Sequence, residues 1–183
     1  MSNPFETGMG GAEETGGQNY IKEGVHHLRV VAVKYRPVEK SFKGANNYII
    51  NFEVLASDGA HKPQELIDDV IKDKNKDGTP NTKFLGNVKS FIKAALPDFD
   101  WKSLEYAKDD KPEQKAAKDK QWFEFVEASY NPEKQILVNQ EVKCVAAKIN
   151  LERDPTKAER PFTQKTYKPW VPATSEEVAQ SAA

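Results

Sequence analysis

The chain is poor in cysteine, has no long apolar run and carries no surplus of either charge, and each absence removes a class of chemistry. Among 183 residues Cys144 is the single cysteine, so no internal disulfide can form, which suits a reducing compartment. It sits in the apolar run Val142-Lys143-Cys144-Val145-Ala146 with no histidine nearby to act as base, and reads as a small buried hydrophobe. No stretch reaches the roughly 18 apolar residues of a membrane span. The N-terminus lacks the basic-then-apolar pattern of a secretory signal. The expectation is a cytoplasmic protein without a membrane partner. The net charge is −1, so an overall positive field gripping phosphates is excluded, and any such case must rest on where the charges lie.

Catalytic patterns are missing too. There is no phosphate-cradling GxxxxGK[ST], no G-x-S-x-G elbow and no HExxH. Asp73-Lys74-Asn75-Lys76-Asp77-Gly78 opens like a calcium loop, but the twelfth position, where a bidentate acid is needed, is Phe84. His26 and His27 are adjacent, so on a strand they point to opposite faces and cannot chelate one metal. The expectation is a non-enzyme with no catalytic residues, no metal and no cofactor.

What is present reads as one domain. Residues 1–19 hold half of the ten glycines and no periodic apolar face, which predicts a flexible arm; 173–183 reads as a flexible tail. Between them, 20–172 forms the domain. Strand one is expected over 25–36, with Leu28, Val30 and Ala32 on one face and Arg29, Val31, Val33 and Tyr35 on the other. A polar connection, 38–47, leads to strand two at 48–56. Residues 65–73 fit helical and strand spacing alike, and a third strand is preferred. An amphipathic helix follows over 81–96, capped by Asn81 or Thr82 and stopped by Pro97. Residues 98–130 form a charged, partly helical insertion. Ile136 to Leu151 reads as one long strand or two short ones, with Val142, Cys144, Ala146 and Ile149 inward, and 162–170 as the last strand. The order strand, strand, strand, helix, insertion, strand, strand predicts a mainly β fold, a five-stranded OB-like Greek-key barrel with its helix between strands three and four.

Basic and aromatic residues interleave twice. One cluster is Lys34, Tyr35, Arg36, Lys40, Phe42 and Lys43. The other is Lys148, Arg153, Lys157, Arg160, Phe162, Lys165 and Tyr167, followed by Lys168 and Trp170. From Lys143 to Trp170 seven basic residues face only Glu152, Asp154 and Glu159, so a near-neutral total conceals a basic face. Cations that track phosphates and rings that stack on unpaired bases, at about 1–3 kcal/mol per base, are what single-stranded nucleic acid requires. In an OB barrel both clusters would flank the binding face. The blander reading is that the lysines solvate an outer face while Tyr167 and Trp170 fill the core. A rival role is a protein-interaction or virion structural module docking through Trp101 and Trp122 of the insertion.

The opening Asn3-Pro4-Phe5, the pair LRVVAVKYRP and NYIINFEVLASDG, the helix FLGNVKSFIKAAL and the ending PFTQKTYKPWVP resemble the OB-fold single-stranded DNA-binding proteins of bacteriophages. That resemblance implies sequence-tolerant binding of single-stranded DNA in replication or recombination, in the host cytoplasm. It also implies contacts with replication or recombination proteins. It implicates Tyr35, Arg36, Phe42, Lys43, Tyr48, Arg153, Lys157, Phe162 and Tyr167. The chain departs from the pattern at its end, where 174–183 carries only Glu176 and Glu177 in place of a strongly acidic tail.

Overall fold

In the computed structural model the described residues are 20–37, 45–58, 61–75, 77–149 and 162–172; the arm at 1–19 and the tail at 173–183 fall outside them. Five strands form one antiparallel sheet: β1 (Gly24–Pro37), β2 (Asn46–Ser57), β3 (Leu66–Lys72), β4 (Glu141–Ile149) and β5 (Phe162–Pro169). The lateral order is β3-β2-β1-β4-β5, and no main-chain ladder joins β3 to β5 among the described residues, so the sheet is open. Two helices, α1 (Phe84–Ala95) and α2 (Pro112–Tyr130), and a 3-10 turn (Trp101–Leu104) complete a mainly β architecture.

One face of the sheet is apolar at alternate positions and meets α1. Leu28, Val30 and Val33 of β1, Tyr48, Ile50, Phe52 and Val54 of β2, and Val142, Cys144 and Ala146 of β4 are all buried. From α1 come Val88, Phe91, Ile92, Ala94 and Ala95, spaced three and four apart as one helical stripe requires. Phe91 meets Phe52 of β2 edge-on at 5.8 Å and Tyr167 of β5 at 5.2 Å, which seats α1 between these two strands. The helix starts later than its sequence suggests. Lys83 occupies the cap position without a side-chain bond, and the Asn81 carboxamide accepts instead from the Lys83 N–H at 3.0 Å.

The segment 65–73 is a strand, β3, because Ile67, Asp69 and Ile71 alternate into the interior. The stretch 136–139 is not: the chain turns there, with positive φ at Gln135 and Asn139, and Leu137 alone is driven into the core. This turn finishes the unpaired side of β1. β4 reaches only from Gly24 to Arg29. Beyond it the Val30 N–H donates to Gln140 O at 2.9 Å and Val30 O accepts from the Asn139 N–H at 2.8 Å. At Val33 the Gln135 side-chain amide takes the place of a strand, accepting from the N–H at 3.4 Å and donating to the C=O at 3.3 Å. Edge groups that would otherwise lack partners are thereby paired.

Candidate nucleic-acid interface

β1 carries an extra residue. Val30 pairs with Phe52 and Ala32 with Asn51, which leaves Val31 as a bulge, 43% exposed. A bulge shifts the alternation by one, so Leu28, Val30 and Val33 all face the core although their sequence spacing would separate Val33 from the other two. The simple alternation expected for this strand is therefore corrected. The functional consequence lies beyond Val33, where the shift turns Lys34 and Arg36 onto the outer face, both exposed.

The register carries this across three strands. Lys34 lies beside Ile49 and Ile49 beside Val70; Arg36 lies beside Asn47 and Asn47 beside Lys72. Cross-strand neighbours share a face, so three cations bracket Ile49 and Val70 at the end of the outer sheet adjoining the 38–44 connection. Among the described residues none of the three is ion-paired to a carboxylate. The nearest acids are already engaged: Asp73 accepts from the Asn46 main-chain and side-chain N–H groups at 2.8 Å each, and Asp68 accepts from Asn51 at 2.5 Å. Asn47 Oδ1 is buried there without a hydrogen-bond partner among the described residues.

Tyr35 has the opposite parity and projects past the core. Its ring packs against Tyr130 at 5.4 Å and Phe84 at 6.4 Å and stays 39% exposed. Partial burial, with Asp73 nearby, raises its phenol pKa.

Three expected contact residues are turned inward. Tyr48 is fully buried, its hydroxyl 2.7 Å from Ser129 Oγ, and burial holds that hydroxyl un-ionised, its pKa raised. Tyr167 stacks on Phe52 at 5.8 Å and donates to Asp69 Oδ2 at 2.6 Å; burial and the Asp69 charge push its pKa well up. Lys165 is ion-paired with Asp69 Oδ1, whose side chain is 5% exposed, so its charge is spent inside the protein. On β5 the core-facing residues sit opposite Ala146 and Cys144, and nothing in Thr-Gln-Lys-Thr-Tyr-Lys tells the two parities apart. Lys40, Phe42, Lys43, Arg153, Lys157 and Arg160 lie outside the described residues. Lys148 and Phe162 are placed in β4 and β5 without described side chains.

The outward side of β5 presents Gln164, Thr166 and Lys168, and Trp170 follows. The Trp170 ring lies flat on His27, with centroids 3.5 Å apart and planes within 7°. His27 is oriented by its Nε2, which bonds Glu141 Oε2 at 2.7 Å. Burial disfavours the Glu141 charge, but hydrogen bonds from His27 and Arg29 outweigh it and its pKa is lowered. Arg29 also reaches Glu53 at 3.4 Å, so the middle of the outer face is a neutralised network between two basic ends. Lys72 was missed by the sequence reading, and Lys143 was counted on the basic face without being named as a contact, since only cross-strand register joins each to other cations.

Of the insertion's two tryptophans, one is buried and one partly exposed. Trp101 is 7% exposed and stacks on Trp122 at 4.9 Å, and their indole N–H groups donate to Leu96 O and Leu104 O. Trp101 is therefore closed to a partner, whereas Trp122 stays half-buried beside Lys89, Leu104, Glu105, Tyr106 and Asp119.

No family model matches the chain, and no curated protein matches it. Among the described residues no helix is long and apolar enough to cross a membrane.

Proposed function

We propose that this protein binds single-stranded DNA without strong sequence preference, on the outer face of β1, β2 and β3. The observation that carries the reading is the cluster of Lys34, Arg36 and Lys72. They are exposed, gathered by register around an apolar floor, and continuous with a connection whose sequence adds Lys40, Phe42 and Lys43. Cations on a rigid sheet track phosphates; Tyr35, of opposite parity and packed on Tyr130 and Phe84, stands at the same end but off this face. The strand order and the helix following β3 support an OB-type sheet, in which this region borders the ligand. Similarity of sequence character to phage single-stranded DNA-binding proteins points the same way, toward replication or recombination.

The test is anisotropy of labelled oligo-dT over a salt series. For single strands the logarithmic salt slope is about −0.7 per neutralised phosphate, so Lys34→Ala/Arg36→Ala/Lys72→Ala should flatten it by about 2. Tyr35→Ala, off this face, should leave the slope nearly unchanged. Equal affinity for duplex and single strand, or an unaltered slope in the triple variant, refutes the reading.

A further inference from the structure

The second basic end of the outer face is remote from the first. Along β1, His27 and Arg36 are nine positions apart, roughly 30 Å at the ~3.3 Å rise of a strand. Here the register sets His27 beside Lys143 and Lys143 beside Lys168, so two exposed lysines follow the imidazole across three strands. Neither lysine is ion-paired among the described residues; the local acid, Glu141, is taken by His27 and Arg29. Trp170 is half-buried, with one face covered by His27. A backed, immobilised indole is a better stacking platform than a mobile one, because less side-chain freedom is lost when a base settles on it. Trp170 also lies beyond the last ladder pair of β5, at the rim, where a base could approach without displacing a strand.

We infer that Trp170, with Lys143 and Lys168, forms a second contact for the same strand of DNA, holding one base on the indole and its flanking phosphates on the two ammonium groups. This rests on the single-strand reading above and extends it: one molecule of DNA crosses the bent β1 from the Lys34 end to the Trp170 end. At the 3.4 Å per nucleotide of a stacked strand, a span of roughly 30 Å requires about nine nucleotides. Short oligonucleotides therefore occupy one contact and longer ones both, and the second contact acts on long strands through effective concentration.

The experiment compares dT4 with dT15 for the full chain and for Lys143→Ala/Lys168→Ala and Trp170→Ala. Wild-type dT15 affinity should fall at least tenfold in both variants, with dT4 affinity changing less than about threefold. Trp170→Phe, which keeps a flat ring, should restore most of the dT15 affinity. Measured in a Trp122→Phe background, because Trp122 is half-buried whereas Trp101 is buried, it should also abolish most of the fluorescence quenching at saturation; a purely structural Trp170 would leave the quenching intact. Urea midpoints verify folding of each variant. No change in dT15 affinity, or equal losses for both oligomers, overturns the second contact and leaves the first standing. Failure of wild-type protein to bind either oligomer overturns both.

Discussion

Asp69, Lys165 and Tyr167 join the two free edges of an open sheet, and their removal should be expensive one at a time and cheap together. Asp69 on β3 receives Lys165 at one oxygen and the Tyr167 hydroxyl, at 2.6 Å, at the other, both from β5. Its side chain is 5% exposed and that of Lys165 20%. Breaking a buried pair by deleting one partner costs about 3–5 kcal/mol, whereas replacing all members with apolar groups is often neutral. Asp69→Leu strands an ammonium that can lean toward solvent, so the lower end, about 3 kcal/mol, is expected. Lys165→Met strands the more deeply buried carboxylate and should cost about 4 kcal/mol, lowering a urea midpoint by about 2 M for a slope near 2 kcal/mol/M. The combination Asp69→Leu/Lys165→Met/Tyr167→Phe should recover to within about 1 kcal/mol of wild type. Equilibrium urea unfolding followed by tryptophan fluorescence measures all three. A single substitution costing under about 1 kcal/mol, or a triple variant as costly as the sum of its parts, refutes the idea that these groups are coupled inside the seam.

The thiol of Cys144 is fully buried, and burial pushes its pKa up to about 12, so a thiol reagent at pH 8 should label it only after unfolding; rapid native labelling would contradict that placement. Gln135→Ala removes the amide that pairs with both Val33 main-chain groups and should cost about 1–2 kcal/mol in urea unfolding, with edge amides near Val33 exchanging faster. Glu141 has a lowered pKa, so its ionised form stabilises the fold above the unfolded value near 4.3, and the benefit disappears as pH falls through the folded value. Glu141→Gln should therefore lose stability at pH 7 and differ little from wild type at pH 3, as thermal melts at the two values would show.

Much of the framework was legible without coordinates. Apolar alternation marked β2, helical spacing from Phe84 to Ala95 marked α1, and proline marked the ends of β1 and α1, because these are local constraints that neighbours in sequence impose. Inwardness of Val142, Cys144 and Ala146 followed from the same period. Where the signal was not local the reading failed. Leu137 looked like part of a strand because it is apolar, yet it is buried from a turn; Tyr167 looked like an exposed ring because tyrosine is at home in either place, whereas Tyr48, on the apolar face of β2, was implicated only by the resemblance.

By itself, then, the order of residues determined that the chain is β-rich, that a helix follows the third strand, and that basic and aromatic side chains concentrate near two connections. The tertiary structure decided which of them meet. A one-residue bulge at Val31 reverses the facing of everything after it, and so turns Lys34 and Arg36 outward. Pairing partners far apart in sequence then bring Lys72 to the first of these ends and set Lys143 against Lys168 at the other, while a buried carboxylate on β3 draws Lys165 and Tyr167 inside. Facing in a sheet depends on register, and register is a property of pairs of strands, which no single stretch of sequence contains.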